Sequence, residues 1–381
     1  MQKKRNKVHT YEATAILIGA IIGAGVLGIP YVMQKAGFLT GMLVLLVLGA
    51  VVLTVNLCVG EITLRTKGLH QLTGYVGIYL GERGKRLMAI AMVLGNYGAL
   101  LAYTIGEGRS LAEIFGGNPW LWSAAFFVIG STILYLGLNA VGASELFLNI
   151  IKFCAFGTVF LLMVSSFLFE PSNLAGFEIT NLFVPYGVIL FACLGAIAIP
   201  EMKEELSKNL KELKKSIIIG TVVPIIVYAL FGIAVVGVTG TATTEAANIG
   251  IGRIMGFLPL VLVNIFAILA MATSFIALGF GLKEMYVEDY SMPKIWAFLL
   301  TITVPVILIL LGIHSFIMIL GLTGALAGGL EGTLLLLTYW KARKHSQRKP
   351  EYEMNIHPAL IVMMIAVFVI GAIITIKEFT I

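Results

Sequence analysis

Four glycines and a proline crowd the middle of one hydrophobic stretch, Gly19-Ala-Ile-Ile-Gly23-Ala-Gly25-Val-Leu-Gly28-Ile-Pro30. In a regular helix Gly costs about 1 kcal/mol and Pro about 3 kcal/mol relative to Ala, so the run predicts a break near residues 23 to 25. Backbone left unpaired in an apolar phase persists only where it lines a cavity or binds something. The competing explanation is close helix packing through small residues. A second run, Phe191-Ala-Cys-Leu-Gly195-Ala-Ile-Ala-Ile-Pro200, repeats the Gly-x-x-x-x-Pro spacing and again ends in Ile-Pro. A helix that restarts after a break presents amides and a positive dipole end, which suits a carboxylate. That role falls to Gly23, Ala24, Gly25 and Val26. A helix that stops at a break presents carbonyls and a negative dipole end, which suits an ammonium group. Phe191, Ala192, Cys193 and Leu194, with Gly195 in the break, take that role. No acid lies within residues 189 to 199 or 17 to 31, so a zwitterion with a neutral side chain is the expected ligand. The hydroxyl of Tyr97 or Tyr103 could reach its carboxylate.

Lys152 interrupts the apolar run from Phe147 to Phe169, and an intramembrane Lys is a functional candidate by default. Counting about 1.5 Å per residue puts it roughly 13 Å deep, level with Thr273, Ser274, Gly19 and Ile22. A lysine, two hydroxyls and the carbonyls before a helix break therefore share one depth. Snorkelling of Lys152 and back-bonding of the two hydroxyls are the plainer alternatives. Glu61, Glu107, Glu145 and Glu201 sit near span ends, where solvated or lysine-paired roles are expected. Glu331 lies deeper, among Gly328, Gly329 and Gly332, and is a candidate for gating or proton handling.

The elements that must position these groups are membrane helices. The chain is 59% hydrophobic and 12% charged, outside the range of soluble domains. Apolar stretches long enough to cross a bilayer predict eleven spans. They fall at residues 11–36, 40–64, 87–114, 119–138, 143–169, 183–203, 216–239, 256–282, 294–312, 315–340 and 357–377. The first follows a basic cluster but is too long for a cleaved signal peptide and lacks a cleavage site. With the N-terminus cytoplasmic and the C-terminus external, 21 of the 26 Lys and Arg residues fall inside; only Lys35, Arg109, Arg253 and Lys377 fall outside. The net charge of +6 thus reflects topology and attraction to anionic lipid, with no nucleic acid implied. Three cysteines within spans predict no disulfide framework, and no His shares helical spacing with a ligand set for a metal. No cofactor is expected, and no phosphate-binding loop for ATP is present. Neither a nucleophile with its base nor a row of pore-lining polar residues favours an enzyme or a channel.

By that topology the two broken helices run in opposite directions at matching places in two five-span halves, the pattern of an inverted-repeat transporter. The run from Gly19 to Phe38 and the segment Ile199-Pro-Glu-Met-Lys-Glu-Glu205 resemble the amino acid/auxin permease branch of the amino acid, polyamine and organocation superfamily. The resemblance implies an all-α polytopic membrane protein of the LeuT type. It would form one transporter domain over 1–381, with repeats at 11–169 and 183–340 and an extra helix at 357–377. It implies a bundle of spans 1, 2, 6 and 7 moving against spans 3, 4, 8 and 9. In that family some members bind Na⁺ between spans 1 and 8, and others place a span 5 lysine there. Lys152 matches the lysine version and implies transport of a small neutral amino acid that is proton-coupled or needs no ion. Sodium at Gly19, Ile22, Thr273 and Ser274 is the alternative.

Overall fold

A computed structural model describes residues 2–137 and 145–380. The last position expected for span 4 and the first two expected for span 5 lie outside the described residues. The described residues form fifteen α-helices: α1 (Gln2–Ile21), α2 (Gly25–Ala36), α3 (Phe38–Arg65), α4 (Leu72–Phe115), α5 (Pro119–Leu136), α6 (Glu145–Val164), α7 (Tyr186–Cys193), α8 (Ile199–Glu205), α9 (Leu213–Thr239), α10 (Ala247–Met255), α11 (Phe257–Tyr290), α12 (Lys294–Leu310), α13 (Phe316–Thr323), α14 (Gly329–Lys344) and α15 (Pro358–Thr380). Among the described residues eight segments, Tyr186–Glu205 included, are long and apolar enough to cross a membrane. The pair α1 and α2, bent by 53°, makes a ninth, and Leu148–Val164 and Lys294–Leu310 are shorter apolar helices. Together they match the eleven expected spans.

Boundaries differ where local punctuation was subtle. The third span begins at Leu72, well before residue 87, because α4 turns a corner at Gly81 (φ 77°) and absorbs a loop that its charges had marked as separate. The eighth runs on to Tyr290. The fifth stops at Val164 and gives way to turns and short 3₁₀ segments before α7. The short helix α10, which the charge count placed in an external loop, was not expected at all.

Close backbone approach is what brings the broken helices into the centre. Added β-carbons on Gly187 and Gly324 would run into the carbonyls of Gly321 and Gly187 respectively, so the first half of span 6 can lie against span 10 only with glycine there. Between α13 and α14 the chain forms a π-helical turn at Gly324–Gly328, which shifts the register of everything after it, Glu331 included.

At the end of the bundle where α3 stops, polar groups fasten four segments together. The Lys203 ammonium donates to the carbonyls of Thr63 and Gly68, each at 2.7 Å, and so satisfies acceptors that a helix end leaves open. Glu61 holds Arg65 at 2.7 Å and accepts from the Met354 amide, and Arg65 reaches Glu353 at 3.2 Å. Lys203 had been counted as a loop charge; it is 6% exposed.

Candidate functional site

Span 1 loses its helical ladder over three residues. Ile22 still donates to Ile18 at 2.9 Å, after which only the tighter contacts Val26 to Gly23 (3.4 Å) and Leu27 to Ala24 (3.1 Å) follow. The helix α2 restarts with no side chain capping it, and the Val26 and Leu27 amides of its first turn close back onto Gly23 and Ala24. Span 6 stops at Cys193, passes through extended Leu194 and then through Gly195 (φ −166°, ψ 2°), and resumes through a 3₁₀ turn into α8, with Pro200 in its first turn where a missing N–H does no harm.

Tyr228 of α9 ties the two breaks to each other. Its fully buried hydroxyl lies 2.7 Å from the Ile21 carbonyl and 2.9 Å from the Ala192 carbonyl. Both acceptors belong to turns whose helical partners the breaks removed. Nothing in the local sequence of span 7 marks this tyrosine, because its partners lie in α1 and α7.

A cavity of about 50 Å³ lies between the breaks, lined among others by Gly23, Gly25, Tyr103, Phe191, Gly195 and Glu331. Leu194 also lines it. Asn96 does too, and its amide nitrogen is buried without a partner among the described residues. Sequence reasoning missed Asn96 for want of any motif around it. Ala24, Val26, Ala192 and Cys193 are buried in packing around the cavity and do not line it. Gly25 contributes mostly by closeness: a β-carbon there would stand 2.5 Å from the Ala192 β-carbon and 2.6 Å from its α-carbon. Tyr97 does not reach the cavity. Its hydroxyl is engaged 3.0 Å from both Tyr286 and the Leu300 carbonyl, on another face of α4.

The residues expected to couple transport converge more closely. Lys152 is 3% exposed and does not snorkel; its ammonium donates to Thr273 Oγ1 at 3.2 Å. Thr273 also donates to its own helix at Leu269 (2.8 Å), so the back-bond and the lysine contact use opposite sides of one oxygen. Ser274 lies 3.2 Å from the Gly19 carbonyl and 3.3 Å from the Ile22 carbonyl, closing acceptors that the break opens. Asn149, one turn before Lys152, donates to the Ala15 carbonyl at 3.2 Å.

Two acids depart from expectation. Glu107 is fully buried with no ion pair, not solvated near a span end. Glu205 meets His9 Nδ1 at 2.5 Å, and Glu12 lies 3.3 Å from the same nitrogen, so three potential ligand atoms fall within 4.8 Å of one another. The sequence had suggested no such set, since Glu205 comes from a different helix.

The Tryptophan/tyrosine permease family model matches residues 6–376. The chain is 26% identical over 401 residues to tyrosine-specific transport system 1 of Haemophilus influenzae, covering 98% of this chain and 97% of that one. It is 23% identical over 367 residues to glutamine transporter 2 of Aliivibrio fischeri, covering 92% and 93%. Among solved structures, the manganese transporter of Eremococcus coleocola in complex with an aromatic bis-isothiourea substituted compound matches with a TM-score of 0.71 at 12% identity, over 99% of this chain and 88% of that one. That likeness concerns the fold, an all-α polytopic membrane protein of the LeuT type.

Proposed function

The chain belongs to the Tryptophan/tyrosine permease family, and on that premise we propose that it carries neutral amino acids by alternating access as a secondary active transporter. That it is a multi-pass amino acid transporter and not an enzyme follows from its relatives. The finer reading rests on one observation: a single cavity bounded by the restart of α2 on one side and the end of α7 on the other. An amide-rich helix start and a carbonyl-rich helix end, facing one another, match the two charges of a zwitterion. The tyrosine and glutamine named for the relatives are both neutral. In this reading the amino acid/auxin permease branch is its place, residues 11–169 and 183–340 are the inverted repeats, and 357–377 is the added helix.

Glu331 favours a second reading, a cationic side chain in the same cavity, because it is the acid that lines it. Counterflow of radiolabelled neutral and basic amino acids in proteoliposomes separates the two. Exchange of lysine or arginine in preference to every neutral amino acid would displace the neutral reading and leave Glu331 as a binding residue instead of a gate or proton handler.

Lys152 supports transport without sodium, since its ammonium stands beside Thr273 where that ion would sit. Replacing Na⁺ by choline should leave uptake unchanged, whereas Lys152→Ala should lower it by about tenfold, the equivalent of 1.4 kcal/mol. Uptake that rises steeply with Na⁺ and survives in Lys152→Ala would favour sodium at Gly19, Ile22, Thr273 and Ser274.

The loop charges support a cell-membrane orientation with the N-terminus inside, the C-terminus outside and anionic lipid against the basic loops. A cysteine placed at residue 378 should react with an impermeant reagent in intact cells and one at residue 4 should not. The reverse pattern would invert the topology.

A further inference from the structure

Tyr103, Glu107 and Ser110 follow one another at helical spacing on a single face of α4. The first of them stands against the span 1 break: a β-carbon on Gly23 would lie 2.7 Å from the Tyr103 hydroxyl. The last accepts from Asn248 of α10 at 2.9 Å. Between them Glu107 is fully buried; the Ala272 backbone of α11 approaches it, and neither carboxyl oxygen meets full hydrogen-bond geometry with a donor among the described residues. One turn further on, a buried polar chain leads away from the same face. Asn248 donates its amide to Ser110 and to Asn264 (2.7 Å), Asn264 donates to the Leu260 carbonyl (2.8 Å), and Asn248 Oδ1 is left unpartnered.

Among the described residues no ion pair reaches this carboxyl. The sequences of α13, and of α11 up to Leu282, contain no ionisable residue, α5 contains Tyr135, and Lys152 of α6 donates to Thr273 of α11 at 3.2 Å. Arg253 of α10 is exposed, Arg109 turns to Glu245 at 3.8 Å and to the His314 carbonyl at 3.3 Å, His314 packs on Trp120, and Glu331 of α14 lines the cavity. An isolated carboxylate buried without an ion-pair partner costs far more than taking up a proton. A metal cation is a poor fit, because hard cations gather six or more oxygens and the cluster offers few that are unengaged.

We propose that Glu107 is a proton-binding site that must be filled before the substrate-loaded transporter can close. A proton from water adds to one carboxylate oxygen when the α4–α11 interface is hydrated. The interface then dries and closes on the neutral acid. On reopening, the O–H bond breaks and the proton returns to water. The inference rests on the reading of the chain as an amino acid transporter.

The test is counterflow of a labelled amino acid as a function of pH, for wild type and Glu107→Gln. In wild type, exchange should fall about tenfold per pH unit once the carboxyl ionises, while the neutral amide of Glu107→Gln should exchange at a rate that varies little with pH. An unchanged pH profile in Glu107→Gln overturns the proposal, as does exchange at high pH that sodium restores in wild type only. Absence of counterflow in wild type with every amino acid tried would instead remove the transport reading. Thermal unfolding of the purified proteins decides the proton site independently of transport. The wild-type melting temperature should fall as pH rises, and that dependence should be weaker in Glu107→Gln; parallel curves count against the site.

Discussion

Tyr228→Phe should lower initial uptake by about 10- to 100-fold and reduce thermal stability, although it removes a single oxygen. That hydroxyl serves the Ile21 and Ala192 carbonyls, which the two helix breaks deprive of their helical donors. A buried acceptor left without a partner costs about 1–3 kcal/mol. Phenylalanine would fill the same space and leave both carbonyls unsatisfied at the point where the two broken helices meet. The lost energy falls on the geometry that forms the cavity, so uptake should suffer more than folding. The hydroxyl carries one hydrogen, which it can give fully to only one carbonyl at a time. Wild-type uptake together with an unshifted melting temperature in Tyr228→Phe would show that the bridge does not matter.

The second large effect concerns Gly23. A methyl group there would stand 2.7 Å from the Tyr103 hydroxyl and 3.2 Å from Ser274 Oγ, so Gly23→Ala should cut uptake by about tenfold or more by pushing Tyr103 out of the cavity. Because the clash is with the end of a side chain, it can be relieved. Tyr103→Phe removes the oxygen, and the double variant should recover more activity than the two single effects predict when added. Strict additivity would mean that Gly23 acts through something other than this contact. Gly25 is the less informative target. Its clash is with the backbone of Ala192, and a leucine there would force the broken helices apart, losing fold and binding together.

The helix breaks were legible because glycine and proline act locally, and the paired spacing of Gly25 and Pro30 with Gly195 and Pro200 needed no tertiary knowledge. Depth counting along helices was enough to bring Lys152 level with Thr273, and the structure places them in contact. What it could not supply was rotation about the helix axis. Tyr97 and Tyr103 are six residues apart, so at about 100° per residue they face directions about 120° apart and only one could point at the span 1 break. The partners of Tyr228 and the burial of Asn96 and Glu107 are set by which helices pack together, and nothing within a single span announces that. Glu107 looked solvated by its position near a span end; α10, which no periodicity had marked, packs Asn248 on Ser110, one turn further along the same helix.

The cavity between the breaks has one further consequence. At about 50 Å³ it holds only some three to five waters, each needing about 10–15 Å³ measured the same way. An amino acid can be enclosed only if the walls yield, and they yield by different amounts for different side chains. Selection between a slim and a bulky substrate then belongs to the step that shuts the protein around it. Two amino acids could bind the open form equally well and still cross at very different speeds, with the ratio set by the elastic work of enclosure and not by affinity for the open site.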